Sequence, residues 1–115
     1  MKVALFAFVG EPMCFVHVLL NAIDLTDRGH EAKIIIEGSA TKLVKEFHDN
    51  PEMPFANLYE KAKTSGLIEG VCKACAAKMG SKDSAEAQEL ALLGDMNGHP
   101  SVAKYLEEGY QVLTF

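Results

Sequence analysis

The chain has 115 residues, enough for one hydrophobic core and a single domain spanning residues 1–115. Hydrophobic residues are 49% and charged residues 23%, the balance of an ordinary globular protein, and no apolar run approaches the roughly 18 residues a membrane helix needs. A net charge of −5 argues against nucleic acid as the main partner, because phosphate binding needs a basic face, and the absence of tryptophan removes the best stacking platform for bases.

The opening stretch MKVALFAFVG carries a lysine and an apolar run, which raises the question of a signal peptide. The run is short, Glu11 and Pro12 follow at once, and no small-x-small cleavage site appears, so it reads as a first strand and the chain as cytoplasmic. Lys2 to Val9 is continuously apolar, as in a strand buried on both faces. From Met13 to Arg28, Cys14, Val16, Val18, Leu19, Ala22, Ile23 and Leu25 recur at helical spacing, and Gly29 supplies the stop. HEAKIIIE follows as a second strand, begun by His30, and the crossover makes the two strands parallel.

An amphipathic helix is predicted over Ser39 to His48, with Ser39 or Thr41 as its N-cap and His48 on its solvated face. DNPEMP is a loop, Phe55 to Thr64 a third helix, and Leu67 to Val71 a third strand. Short helices are predicted around Cys75 to Lys78 and over Ser81 to Gln88. LALL, residues 90 to 93, reads either as a short fourth strand or as a prolongation of that helix. GDMNGHPS is a turn-rich loop, Ser101 to Glu108 a last helix, and Tyr110 to Phe115 a closing strand. Five strands alternating with helices predict the α/β class: a three-layer sandwich around a five-stranded, mostly parallel sheet.

In such a sheet, chemistry gathers outside the carboxyl ends of the strands. Cys72 closes the third strand and opens the following helix, where unpaired N–H groups and the helix dipole lower a thiol's pKa, with Lys73 and Lys78 nearby. Cys75 lies one helical turn on, so its sulfur can face that of Cys72. With three cysteines, an odd number, in a reducing compartment, a disulfide scaffold is the wrong frame. One Cys-x-x-Cys alone does not complete a structural zinc site, and the strand order expected of a thioredoxin-type redox motif is missing. Two buried small residues at a tight junction is the plain alternative.

Cys14 reads as a core residue of its helix; the first and third strands are expected to be neighbours, which would also let Cys14 approach Cys72. His17 lies one turn beyond Cys14. His99 emerges at the same sheet edge and is a candidate acid or base, anion ligand or third metal ligand, or simply shapes the turn before Pro100 and Ser101. Asp95 and Asn97 read as turn residues. There is no P-loop, no Gly-x-Gly-x-x-Gly and no Gly-x-Ser-x-Gly elbow.

KVALFAFVG, AIDLTDRGHEAKIIIEG, GVCKACAAKMG and EEGYQVLTF, in that order and covering essentially the whole chain, resemble the DsrE/DsrF-like family of small sulfur-relay proteins with the YchN-like fold. The resemblance implies a cytoplasmic α/β domain that forms trimers or hexamers. It also implies a sulfurtransferase whose cysteine after the third strand carries sulfane sulfur as a persulfide, a position that matches Cys72. Cys75 departs from the simplest pattern: it can attack a persulfide on Cys72, releasing sulfide and leaving a disulfide. The resulting expectation is a persulfide carrier with Cys72 as nucleophile and Cys75 assisting or resolving. Gly10, Glu11, Cys14 and His99 are expected to line the pocket. No organic cofactor is implied, and the partners are sulfur donor and acceptor proteins or small sulfane-sulfur compounds, with no nucleic acid and no membrane. A second expectation is a non-catalytic module that holds a metal with Cys72, Cys75 and His99 or Cys14. A third is an oligomeric regulatory scaffold whose cysteines are incidental.

Overall fold

The computed structural model describes residues 1–115. Its strands are β1 (Lys2–Ala7), β2 (Glu31–Ile36), β3 (Ile68–Cys72), β4 (Leu92–Leu93) and β5 (Gln111–Thr114). Between them run α1 (Pro12–Asp27), α2 (Thr41–Asp49), α3 (Ala56–Thr64), α4 (Lys73–Met79), α5 (Lys82–Ala87) and α6 (Val102–Glu107). Every strand pair is parallel, and the order across the sheet is β4-β3-β2-β1-β5. The LALL segment therefore contributes a strand, though of only two residues. β1 and β3 are not neighbours, contrary to the sequence expectation, because each short crossover lays the next strand beside the last and β2 comes between them. Only the connection through α6 crosses to the far side of β1.

β1 and β2 are buried on both faces, as their unbroken apolar runs predict. Val3, Leu5, Ala7, Ile34 and Ile36 join the larger core with residues of α1 to α5, whereas Ala4, Phe6 and Ile35 pack with Tyr105 and Tyr110 on the opposite face. The three layers are thus unequal, with five helices on one side of the sheet and α6 on the other. No helix is long and apolar enough to cross a membrane.

Local chemistry sets the helix ends. Pro12 occupies the first turn of α1, where its missing N–H costs nothing, and the Glu11 carboxylate accepts from the Met13 N–H at 3.4 Å. Neither Ser39 nor Thr41 caps α2 as predicted. The Ser39 hydroxyl instead accepts from the Gly10 N–H at 2.8 Å and donates to the Phe8 carbonyl, tying the β1–α1 loop to the turn after β2. Thr41 Oγ1 donates to the Gly38 carbonyl at 2.8 Å. Tertiary contacts have taken the Ser39 hydroxyl from the helix end, and a local bond three residues back has taken that of Thr41.

Candidate functional site

Three loops meet outside the carboxyl ends of β2, β3 and β4. Cys72 is the last residue of β3 and the N-cap of α4, and its sulfur accepts from the Cys75 N–H at 3.4 Å. The loop after β4 folds back as a tight turn: Asn97 and Gly98 both have positive φ (50° and 89°), and Met96 and His99 pair across them. Two left-handed residues in succession form the turn that Asn-Gly favours, because neither requires a β-carbon to be placed at a large steric cost. The Gly98 carbonyl then accepts from the Ala74 N–H at 2.9 Å, which fastens this turn to the first residues of α4.

That fastening puts His99 over the cysteines. Its Nδ1 is 3.1 Å from Cys72 Sγ and 3.7 Å from Cys75 Sγ, and Cys72 Sγ also donates to the Gly98 carbonyl at 3.7 Å. Cys72 is fully buried, Cys75 half-buried. The Cys72, Cys75 and His99 ligand atoms all lie within 4.8 Å of one another.

Electrostatics at Cys72 run opposite to the sequence expectation. Burial pushes its thiol up to about 11; the N–H of Cys75 pulls the other way but is outweighed, and the Cys75 thiol and the charge of Glu37 add to the rise. The helix terminus offers Cys72 a single long N–H contact, too little to offset the loss of solvent. Cys72 therefore rests as a thiol, which can react as a nucleophile only where a neighbour can take its proton. His99 Nδ1 is that neighbour.

Glu37 went unnoticed in the sequence. Ile36 pairs with Val71, so Glu37 and Cys72 leave the sheet side by side. Glu37 is buried, and burial raises its carboxyl from the ordinary 4.5 to about 7. The available signal was an acidic residue ending a strand at the same edge as the cysteine.

The remaining expected residues lie apart from the triad to different degrees. Gly10 packs under the turn that carries Ser39, where an added β-carbon would stand 2.5 Å from the Ser39 carbonyl oxygen. We expect Gly10→Ala to cost about 1–3 kcal/mol through this backbone clash, read as a drop in melting temperature; an unchanged melt would mean the turn yields freely. Glu11 serves as the cap of α1. Cys14 is exposed and lines a separate cavity of about 320 Å³ with His17, Asn21 and Phe115, beside the end of β5. β1 and β2 intervene between that edge and β3, so Cys14 is not brought to Cys72.

Comparison with known proteins adds the lineage. The chain is 36% identical over 97 residues to an uncharacterized protein of Methanocaldococcus jannaschii, covering 84% of this chain and 76% of that protein. An uncharacterized protein of Archaeoglobus fulgidus is 50% identical over 40 residues, 35% of this chain and 66% of that protein. A second from the same organism is 49% identical over 37 residues, 32% of this chain and all of that protein. No solved structure matches. The family profile, by contrast, aligns from Glu11 to the last residue, taking in the cysteine pair, the Asn-Gly turn and every strand but the first: over residues 11–115 the chain belongs to the DsrE/DsrF-like family.

Proposed function

We propose that this protein carries sulfane sulfur as a cysteine persulfide on its Cys72/Cys75 pair, with Cys72 as the holding site. Family membership supports a sulfur-relay role in general terms. The observation that carries the finer reading is the 3.1 Å contact of Cys72 Sγ with His99 Nδ1, beside a second thiol. A buried thiol becomes a nucleophile only when its proton has somewhere to go, and His99 accepts it as Cys72 attacks a sulfane sulfur. Cys75 stands close enough to exchange sulfur with Cys72 or to resolve its persulfide to a disulfide with loss of sulfide. Donor and acceptor are proteins or small sulfane-sulfur compounds in a reducing cytoplasm, and further copies of the chain would complete the assembly.

The test is the intact mass of the protein, denatured after exposure to inorganic polysulfide. A sulfur-mass adduct is expected on the wild type and on Cys14→Ser, mapping to Cys72 at completion. It should vanish in the Cys72→Ser/Cys75→Ser double variant. An adduct retained by the double variant, or none on the wild type, would overturn the assignment.

A second reading is favoured by the spacing of the three ligand atoms. In a tetrahedral zinc site with Zn–S of about 2.3 Å and Zn–N of about 2.0 Å, sulfur and nitrogen ligands stand roughly 3.5 Å apart. The two sulfur–nitrogen distances here, 3.1 and 3.7 Å, bracket that value. Three protein ligands leave a fourth position for another group. Native mass spectrometry separates the readings: co-purifying metal, with a melting temperature lowered by chelator, would favour the ion.

A further inference from the structure

The two thiols share one histidine but not one environment. Cys72 has no exposed surface and is enclosed by the Gly98 carbonyl, His99 and the α4 backbone. Cys75 is half-buried and lines a solvent-open cavity of about 240 Å³ together with Gly38, Ser39, Lys78 and Met79; Cys72 is not part of that wall. A donor arriving from outside therefore meets Cys75 first. Lys78 stands three residues beyond Cys75 on the same face of α4, so the cavity presents a cation next to the accessible sulfur. Its volume suits a compound of a few heavy atoms.

We propose that Cys75 is the entry thiol, which takes sulfur from a small anionic sulfane-sulfur compound of the inorganic polysulfide class, and that Cys72 is the buried site to which the sulfur then passes. This rests on the persulfide reading above and reverses the order in which the family resemblance ranks the two cysteines. In the first step the Cys75 thiolate attacks a sulfane sulfur of the donor. One donor S–S bond breaks, a new S–S bond to Cys75 forms, and the polysulfide leaves shortened by one sulfur, with the electron pair. In the second step the Cys72 proton passes to His99 and the Cys72 sulfur attacks the outer sulfur on Cys75. That S–S bond breaks, its electron pair returns to Cys75 Sγ, and the persulfide now sits on Cys72. Neither step needs an external oxidant or reductant, because neutral sulfur is only moved between thiolates. The geometry allows the handover: two S–S bonds of about 2.05 Å end to end span roughly 4 Å, and the two cysteine sulfurs lie within 4.8 Å.

The experiment follows polysulfide loading over time in a Cys14→Ser background, quenched by alkylation and read by mass. Cys75→Ser should load about tenfold more slowly or worse, since only the enclosed thiol remains. Cys72→Ser should load at the parental rate but hold the sulfur on Cys75, where an added low-molecular-weight thiol strips it quickly. Lys78→Gln should slow loading from polysulfide and leave loading from a neutral organic trisulfide unchanged. Parental-rate loading of a Cys75→Ser protein whose melt matches the parent would overturn the entry role, and equal loss with both donors in Lys78→Gln would overturn the anionic class. Should a variant fail to fold, brief alkylation of the native Cys14→Ser protein still decides: Cys75 labelled first is expected, Cys72 first refutes. Absence of any adduct on the parent would strike the persulfide reading itself.

Discussion

Phe47→Ala is expected to destabilise the protein by about 3–5 kcal/mol, the usual cost of truncating a buried phenylalanine. Phe47 is 2% exposed and stacks between two other rings, 5.9 Å from Phe15 of α1 and 5.6 Å from Tyr59 of α3. The three rings join three helices over one face of the sheet, so no single element can close the gap by moving alone. Tyr59 is also anchored at its far end: its hydroxyl, whose pKa is pushed up by burial, donates to Gln88 Oε1 at 2.6 Å, and Gln88 Nε2 donates to the Val44 carbonyl at 3.0 Å. A cavity at Phe47 is therefore held open by polar contacts on its rim. At an unfolding entropy of about 2.1 cal/mol/K per residue, 1 kcal/mol corresponds to about 4 °C in a chain of 115 residues. The expected fall in melting temperature by circular dichroism is then about 12–20 °C, with Phe47→Leu losing much less. A loss under about 4 °C would mean the helices collapse into the space and the stack is not rigid.

The parts of the fold legible in the sequence are those governed by local pattern. The unbroken run of β1 and the isoleucines of β2 announced strands buried on both faces, and helical spacing with Gly29 as its stop announced α1. Strand order was not legible. Nothing in the residues of β1 or β3 says that β2 lies between them; that follows from successive crossovers in one direction, a property of the whole chain. The caps of α2 failed for a related reason. Ser39 is a good N-cap by type, but the Gly10 N–H and the Phe8 carbonyl, 29 and 31 residues away in sequence, compete for its hydroxyl and win.

At the site, position was legible and environment was not. Cys72 at the end of a parallel strand, Cys75 one turn on and His99 in a loop at the same edge could all be placed from spacing and strand count, and these three do converge. The sign of the perturbation at Cys72 could not, because it depends on what closes over the thiol: the Asn97-Gly98 turn, drawn down by the Ala74 N–H. The Asn-Gly pair was a readable hairpin signal, whereas the residues against which it would fold were not. Cys14 shows the converse error. The rule that ligands gather at strand ends applies to the whole edge, and Cys14 sits on that edge next to β5, with β1 and β2 between it and β3.

Glu37→Gln is expected to make the protein more stable at pH 8 and to change it little at pH 5. In the folded chain burial holds the Glu37 carboxyl at about 7, against 4.5 when unfolded. A carboxyl with a raised folded pKa favours folding while it is protonated. Its contribution is complete below pH 4.5 and is lost progressively as pH rises to about 7, where the buried group must ionise or the chain must open. At about 1.4 kcal/mol per pKa unit, the loss reaches up to about 3 kcal/mol above pH 7. Glutamine copies the shape of the protonated acid and cannot ionise, so it removes the slope. Melting temperatures of wild type and variant should agree to within a few degrees at pH 5 and diverge by roughly 8–12 °C at pH 8, the variant being higher. Other carboxylates titrate equally in both proteins and cancel in the difference. Parallel pH profiles would mean that Glu37 reaches solvent when ionised. Divergence would place a proton-holding carboxyl beside the sulfur of Cys72, which loses its own proton more readily while Glu37 stays neutral.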